Sequence, residues 1–169
     1  IAIEELCIKL FALQQPLATD LRFIMSALKI SNDLERVGDH AVNIAGSALR
    51  LCREPQLKPL VDIPRMERIS TAMLREAIEA FIRRDSDAAR KLVRRDHEVD
   101  ALNHQIFREL ISYMMEDPHA ITRALELILV GRNLERVADL ATNIAEDAVF
   151  LAEGKQIKHR SEMVSRSDS

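Results

Sequence analysis

Apolar residues recur at alternating steps of three and four along two long stretches of the chain. Leu127, Val130, Leu134, Val137, Ala141, Ile144, Ala148 and Leu151 form one series, and Ala27, Ile30, Leu34, Val37, Ala41, Ile44, Ala48 and Leu51 form the other. That spacing lays one apolar stripe along an α-helix. Two such stripes predict the seam of a bundle of nearly parallel helices, with the alanines permitting close approach. Strand signals are absent, so the predicted class is all-α. Helices are predicted over 1–15, 19–53, 65–84, 87–115 and 119–153. Gln15-Pro16-Leu17 reads as a turn, with Thr19 or Asp20 as the next cap. Pro55, Pro59 and Pro64 make 54–64 a linker, because proline cannot continue a helix. Asp85 and Ser86 offer a turn and a cap, Asp117-Pro118 makes the next turn, and Gly154 ends the last helix. The polar tail over 154–169, with four serines after residue 160, is expected to be disordered.

The two series belong to a duplication. Leu34-Glu-Arg-Val-Gly-Asp-His-Ala-Val-Asn-Ile-Ala45 aligns with Leu134-Glu-Arg-Val-Ala-Asp-Leu-Ala-Thr-Asn-Ile-Ala145, identical at nine of twelve positions with an offset of one hundred. Such internal similarity marks a repeated structural unit. Residues 1–53 would be a first, N-terminally truncated unit and 65–153 a second unit of three helices.

Composition narrows the function classes. Of 169 residues 47% are hydrophobic, with only four glycines, so a real core is affordable. The net charge of −3 does not suit nucleic-acid binding. No apolar run approaches the ~18 residues of a membrane span. Cys7 and Cys52 fit no metal or redox spacing and read as buried or idle thiols of a reducing compartment. There is no glycine-rich phosphate loop and no nucleophile elbow.

The chemistry lies in repeated carboxylates. Each copy carries a Glu and an Asp four apart, Glu35/Asp39 and Glu135/Asp139, which places both on one face of a helix about 5–6 Å apart at Cβ. At about 100° per residue they fall off the apolar stripe, on the outer face, with Asn143 and Arg132 beside Asp139 and with Asn43 and Asn32 in the first copy. A third pair, Asp96 and Asp100, precedes the turn at 117–118. Asp100 and Glu135 are equally far from that turn, as are Asp96 and Asp139, so an antiparallel hairpin brings four acids to matching heights. Four carboxylates together repel unless a cation holds them. Oxygen donors suit hard ions such as ferric iron, Mg²⁺, Mn²⁺ or Ca²⁺, and Asn43, Asn143, His97 and His104 are candidates to extend the shell. A ferritin-like di-iron site is excluded, because its ligands point inward and include a Glu-x-x-His pair. The competing reading is a solvated face in which Arg36, Arg132 and Arg136 pair with the acids. His40, His119 and His159 read as surface residues.

Leu13-Gln-Gln-Pro-Leu-Ala-Thr-Asp-Leu-Arg22, Ala27-Leu-Lys-Ile30, Leu34-Glu-Arg-Val-Gly-Asp39 and Asn43-Ile-Ala45 together resemble the PhoU family of phosphate-uptake regulators. The repeated (E/D)xxxD signature of that family stands here as Glu35/Asp39, Asp96/Asp100 and Glu135/Asp139, and the resemblance covers about residues 1–153. It implies two tandem three-helix bundles with metal ions, often multinuclear iron or zinc clusters, on the bundle surface at those motifs. Mg²⁺ or Mn²⁺ would also suit the oxygen donors. It implies a cytoplasmic, commonly homodimeric regulator that represses the phosphate-starvation response. Such a regulator acts between the ATPase of the phosphate ABC transporter and a membrane sensor histidine kinase, and is peripheral to the inner membrane only through those partners. The chain opens on Ile1 rather than Met, so an upstream segment is expected. The acids facing Glu35 and Asp39 would fall just ahead of Ile1, and the first metal site is therefore expected to bind more weakly. Two other functions compete: a metal-dependent phosphate-ester hydrolase using the same acids, and the soluble PhoU-like domain of a phosphate transporter.

Overall fold

A computed structural model describes residues 2–14, 17–154 and 157, and its regular structure is helical throughout. The helices are α1 (Ala2–Gln14), α2 (Ala18–Leu51), α3 (Asp62–Arg83), α4 (Ser86–Val93), α5 (Asp96–Glu116) and α6 (Ile121–Glu153), with a 3₁₀ turn over Pro118–Ala120 ahead of α6. The all-α class read from the 3-4 spacing is the class observed.

α6 is the central helix and packs against α2, α3, α4 and α5. All eight residues of its predicted stripe are buried, and so are Ala124, Ala138, Leu140, Thr142, Ala145 and Val149 outside that stripe. Small side chains around most of the circumference let four helices approach it. α3 contributes Met66, Met73 and Ala77, and α5 contributes Val99, Leu102, Ile106 and Leu110, to the same apolar cluster. α2 runs antiparallel along α6, tied by Lys29 to Asp147, His40 to Asn133 and Arg50 to Glu126.

The matching stripe on α2 behaves differently. Ile30 is buried, whereas Leu34, Ala41 and Ala48 are exposed. α2 is covered by α6 on one side and by α1 at its start. The same sequence pattern is thus a core in one copy and largely a surface in the other.

Several boundaries differ from the expectation, each for a local reason. α2 starts after Leu17, whose backbone is extended and whose side chain cannot cap. Thr19 and Asp20 fall inside the first turn, where Thr19 Oγ1 instead accepts a hydrogen bond from Arg22 at 3.4 Å. The predicted turn residues Gln15 and Pro16 lie outside the described residues, as does the tail beyond Gly154 apart from Ile157. Pro64 belongs to the first turn of α3 rather than to the linker; there the N–H that proline lacks has no helical partner anyway. The single helix expected over 87–115 is two helices, broken at Arg94-Arg95. The apolar stripe lapses between Val93 and Val99, where Arg94, Arg95, Asp96, His97 and Glu98 are all polar. The chain then reopens a helix with Asp96 and Glu98 in its first turn, where carboxylates meet the positive end of the helix dipole.

Other signals match. The Asp85 side chain accepts from the Ala88 N–H at 2.9 Å and caps α4. Asp117 does the same for His119 at 2.9 Å. Gly154 ends α6 in the left-handed region at φ 68°. Cys7 is buried and Cys52 is exposed.

Candidate metal centre

Two contacts set the register of α5 against α6. Thr142 Oγ1 donates to Asp96 Oδ1 at 3.3 Å. Farther along, Asn103 lies against Gly131, so closely that a Cβ at 131 would stand 2.9 Å from Asn103 Oδ1. The helices are antiparallel, and Asp96 lies abreast of the turn just beyond Asp139. Asp100 is one turn farther along α5, in the direction of Glu135. The two helices run antiparallel as a short turn at 117–118 requires, and the break at Arg94-Arg95 falls ahead of both acids.

The acids are not on an open outer face. Asp96, Asp100, Glu135 and Asp139 are all half-buried, because α6 is flanked on nearly every side. Nor are they gathered. Among the described residues, no three His, Cys, Asp or Glu groups are arranged as a ready metal cage. Two of them have other partners: Thr142 donates to Asp96 across the seam, and the Arg136 guanidinium donates to Asp139 Oδ2 at 3.0 Å along its own helix.

The remaining candidates are scattered. Glu35, Asp39 and Asn43 are exposed on α2, and Arg36 pairs with Asp33 at 3.3 Å rather than with either motif acid. Asn43 reaches across to Asn133 Oδ1 at 3.5 Å. Asn143 lines a cleft of about 310 Å³ between α2 and α6, whose walls include Lys29, Asn32, Asp33, Glu146 and Asp147. His97 stands 2.6 Å from the Arg94 carbonyl oxygen. His104 lines a separate pocket of about 260 Å³ with Phe107, Ile128 and Arg132. His119 is exposed beside Asp117, and His159 lies outside the described residues. His40 is not a free surface residue: it is half-buried, with Nδ1 2.9 Å from Asn133 Oδ1.

Two acids outside the motif carry the clearest electrostatic signature. Burial pushes the Asp33 carboxyl above its ordinary range, Arg36 pulls it partly back, and the charge of Asp147 adds to the rise. Burial likewise raises Asp147, offset in part by the Lys29 ammonium 3.0 Å away. Each precedes a stripe position, Leu34 or Ala148, and so sits on the shoulder of the stripe, where a neighbouring helix covers it. That spacing was the available signal. At the other end of the same interface, the Arg50 hydrogen bond holds Glu126 below the usual carboxylate range.

Residues 1–48 and 63–148 match the family model described as the PhoU domain. The first segment contains Glu35/Asp39, and the second contains Asp96/Asp100 and Glu135/Asp139. The chain is 48% identical over 158 residues to the phosphate-specific transport system accessory protein PhoU homolog of Aquifex aeolicus, covering 94% of this chain and 72% of that protein. It is 41% identical over 158 residues to the homolog of the same name from Pseudomonas aeruginosa, of which it spans 65%. The crystal structure of PhoU from Pseudomonas aeruginosa superposes with a TM-score of 0.87 at 41% identity, covering 90% of this chain and 73% of that one. The phosphate transport system regulatory protein PhoU from Streptococcus pneumoniae superposes with a TM-score of 0.84 at 32% identity, covering 93% of this chain and 73% of that one. With the family model matched across both copies of the repeat, and with the chain superposing on solved members at 32–41% identity, this chain belongs to the PhoU family.

Proposed function

We propose that this chain is a metal-binding helical regulator of phosphate uptake that works through protein contacts rather than by turning over a substrate. The observation that carries the reading is the repeated Glu-x-x-x-Asp motif inside both family-matched segments, with its second copy abreast of Asp96 and Asp100 across the α5–α6 seam. Its relatives are named as accessory proteins of phosphate-specific transport, not as enzymes. No helix among the described residues is long and apolar enough to cross a membrane, which fits a protein that reaches a transporter from one side.

The donor set suits a hard cation: four carboxylates on two apposed helix faces, with oxygen donors only. Asp96, Asp100, Glu135 and Asp139 would hold it, with Asn143 near. Glu35, Asp39 and Asn43 would form the weaker first site. Iron, singly or as a cluster, and zinc are the metals proposed, with Mg²⁺ or Mn²⁺ as alternatives. A bound ion would neutralise the acids and brace α5 against α6, which would hold a surface rigid for a partner. The proposed partners are the ATPase of the phosphate ABC transporter and a phosphate sensor histidine kinase, with the chain working as a cytoplasmic homodimer that represses the phosphate-starvation response.

Deleting the gene tests the regulatory reading: phosphate-starvation genes should stay on in rich phosphate. Normal repression in a strain without a paralogue would refute it.

A further inference from the structure

Six large apolar side chains stand exposed on the α5–α6 hairpin. Phe107, Ile111 and Met115 lie four apart on α5, and Ile121, Leu125 and Leu129 lie four apart on α6. Their exposures run from 37% at Ile111 to 81% at Met115. Residues four apart share a helix face, and the contacts between the helices set their heights. Thr142 meets Asp96, and Gly131 lies against Asn103. These two contacts bracket a register that puts Phe107 abreast of Leu129, Ile111 of Leu125 and Met115 of Ile121. The result is a strip two helices wide and about 12 Å long. Behind it, α5 and α6 pack with α3 into the apolar core. The strip is therefore the outer surface of a three-helix unit and not, as on α2, the uncovered side of a helix with few neighbours. Contiguous apolar surface with a polar rim marks a site of association.

We propose that this strip is the contact surface between two molecules of this chain, packed with their hairpins antiparallel about a two-fold axis that lies across the strip at the level of Ile111 and Leu125. Naming the surface rests on the homodimer reading above. The strip reads the same from both ends, with one apolar pair at the axis and another four residues away on either side. A two-fold contact needs that self-matching, because the patch meets its own copy; an unrelated partner does not. The charges at the two ends are opposite, as the antiparallel arrangement requires. At one end is the turn, with Asp117 exposed. About as far from the axis at the other end stand His104 and Arg132, which share a pocket of about 260 Å³ with Phe107. The antiparallel contact sets Asp117 of each molecule at the Arg132 pocket of the other, twice per dimer. A parallel contact would set Asp117 against Asp117 and Arg132 against Arg132. The area also agrees. The six exposed fractions amount to about three whole side chains, on the order of 500 Å² of apolar surface. A standard interface of about 800 Å² per partner, about 65% apolar as in homodimers, needs the same amount.

Analytical ultracentrifugation of the chain over a range of concentrations tests this, with circular dichroism confirming that each variant is folded. Wild type should dimerise. Leu125→Glu and Met115→Glu, both at exposed positions that folding tolerates, should each weaken the dimer about thirtyfold or more, because the charge enters the interface twice. Val42→Glu, on the exposed face of α2, should leave it unchanged. Arg132→Glu should weaken the dimer about three- to tenfold, and adding Asp117→Arg should restore it, since the exchanged charges match again across the two-fold axis. That rescue cannot come from the loss of the Asp117 cap, which would only destabilise. If Val42→Glu breaks the dimer while Leu125→Glu and Met115→Glu do not, the hairpin surface is wrong and the homodimer reading stands. If Asp117→Arg fails to rescue Arg132→Glu, the antiparallel contact is wrong. A wild type that stays monomeric at every concentration overturns this surface together with the homodimer reading, and leaves metal binding to its own test.

Discussion

Gly38→Ala tests whether the stripe on α2 is a free surface. Gly38 lies inside α2, and its equivalent in the second copy is Ala138, which is 1% exposed in the core. A Cβ built at Gly38 meets nothing within 4 Å. The substitution therefore carries the full helix-propensity gain of alanine over glycine, about 1 kcal/mol, with no steric cost against it. For a chain of this length that is a rise of about 2–4 °C in Tm. Gly131→Ala has the same intrinsic gain, but its Cβ would come 2.9 Å from Asn103 Oδ1. The amide must turn aside, so the net gain should be smaller, near zero. Gly154→Ala should destabilise by about 1–2 kcal/mol, because the residue holds φ 68° and a Cβ would lie 3.3 Å from the Arg22 guanidinium. Urea titrations followed at 222 nm, with m-values compared, rank the three. A loss of stability in Gly38→Ala, or a larger gain at 131 than at 38, would refute this account of α2 and of the α5–α6 crossing.

Asp139→Asn or Glu135→Gln should lower metal content far more than Asp87→Asn, read by elemental analysis after reconstitution with iron, zinc or manganese; equal, near-zero content in all would reduce the acids to a solvated face. Asp33 and Asp147 both have raised carboxyl pKa values, so the folded state binds protons more tightly than the unfolded chain. Their contribution to folding is full below the unfolded carboxylate value of about 3.9 and is lost as pH rises from there through the folded values. Asp33→Asn should therefore flatten the decline of stability with rising pH across that window and raise stability at neutral pH, measured as urea midpoint against pH; a steeper decline would contradict the sign. Ile144→Ala, at a fully buried site on α6, should cost about 2–5 kcal/mol by chemical denaturation, and a cost under 1 kcal/mol would mean that α6 is not the central helix.

Much of the architecture could be read from the chain, because it depends on local periodicity. Every stretch predicted to be helical is helical apart from the break at Arg94-Arg95, since a 3-4 apolar spacing only makes sense on a helix, and Asp85, Asp117 and Gly154 act at the ends as their chemistry dictates. The antiparallel run of α5 and α6 was legible for a similar reason: a short turn forces two helices to run back along each other. Boundaries that depend on competition were less legible. Nothing local separates Thr19 or Asp20 from Leu17 as the start of α2, and a lapse of five polar residues at 94–98 could have been an exposed stretch of one helix.

Burial was the part that local pattern could not supply. Leu34 and Leu134 sit in closely similar sequence, yet one is 38% exposed and the other 5%, because only α6 is surrounded by other helices. The same asymmetry makes the motif acids of α6 half-buried and those of α2 exposed, and it raises the carboxyls of Asp33 and Asp147. Arg36 and Arg136 likewise part company over a single residue, Asp33 or Asn133, whose importance appears only once His40 and Asn43 of α2 are seen to engage it. Helix formation follows from neighbours within a few residues along the chain. Which face is covered, and which carboxylate an arginine finds, follow from helices that lie far apart along the chain, such as α2 and α6.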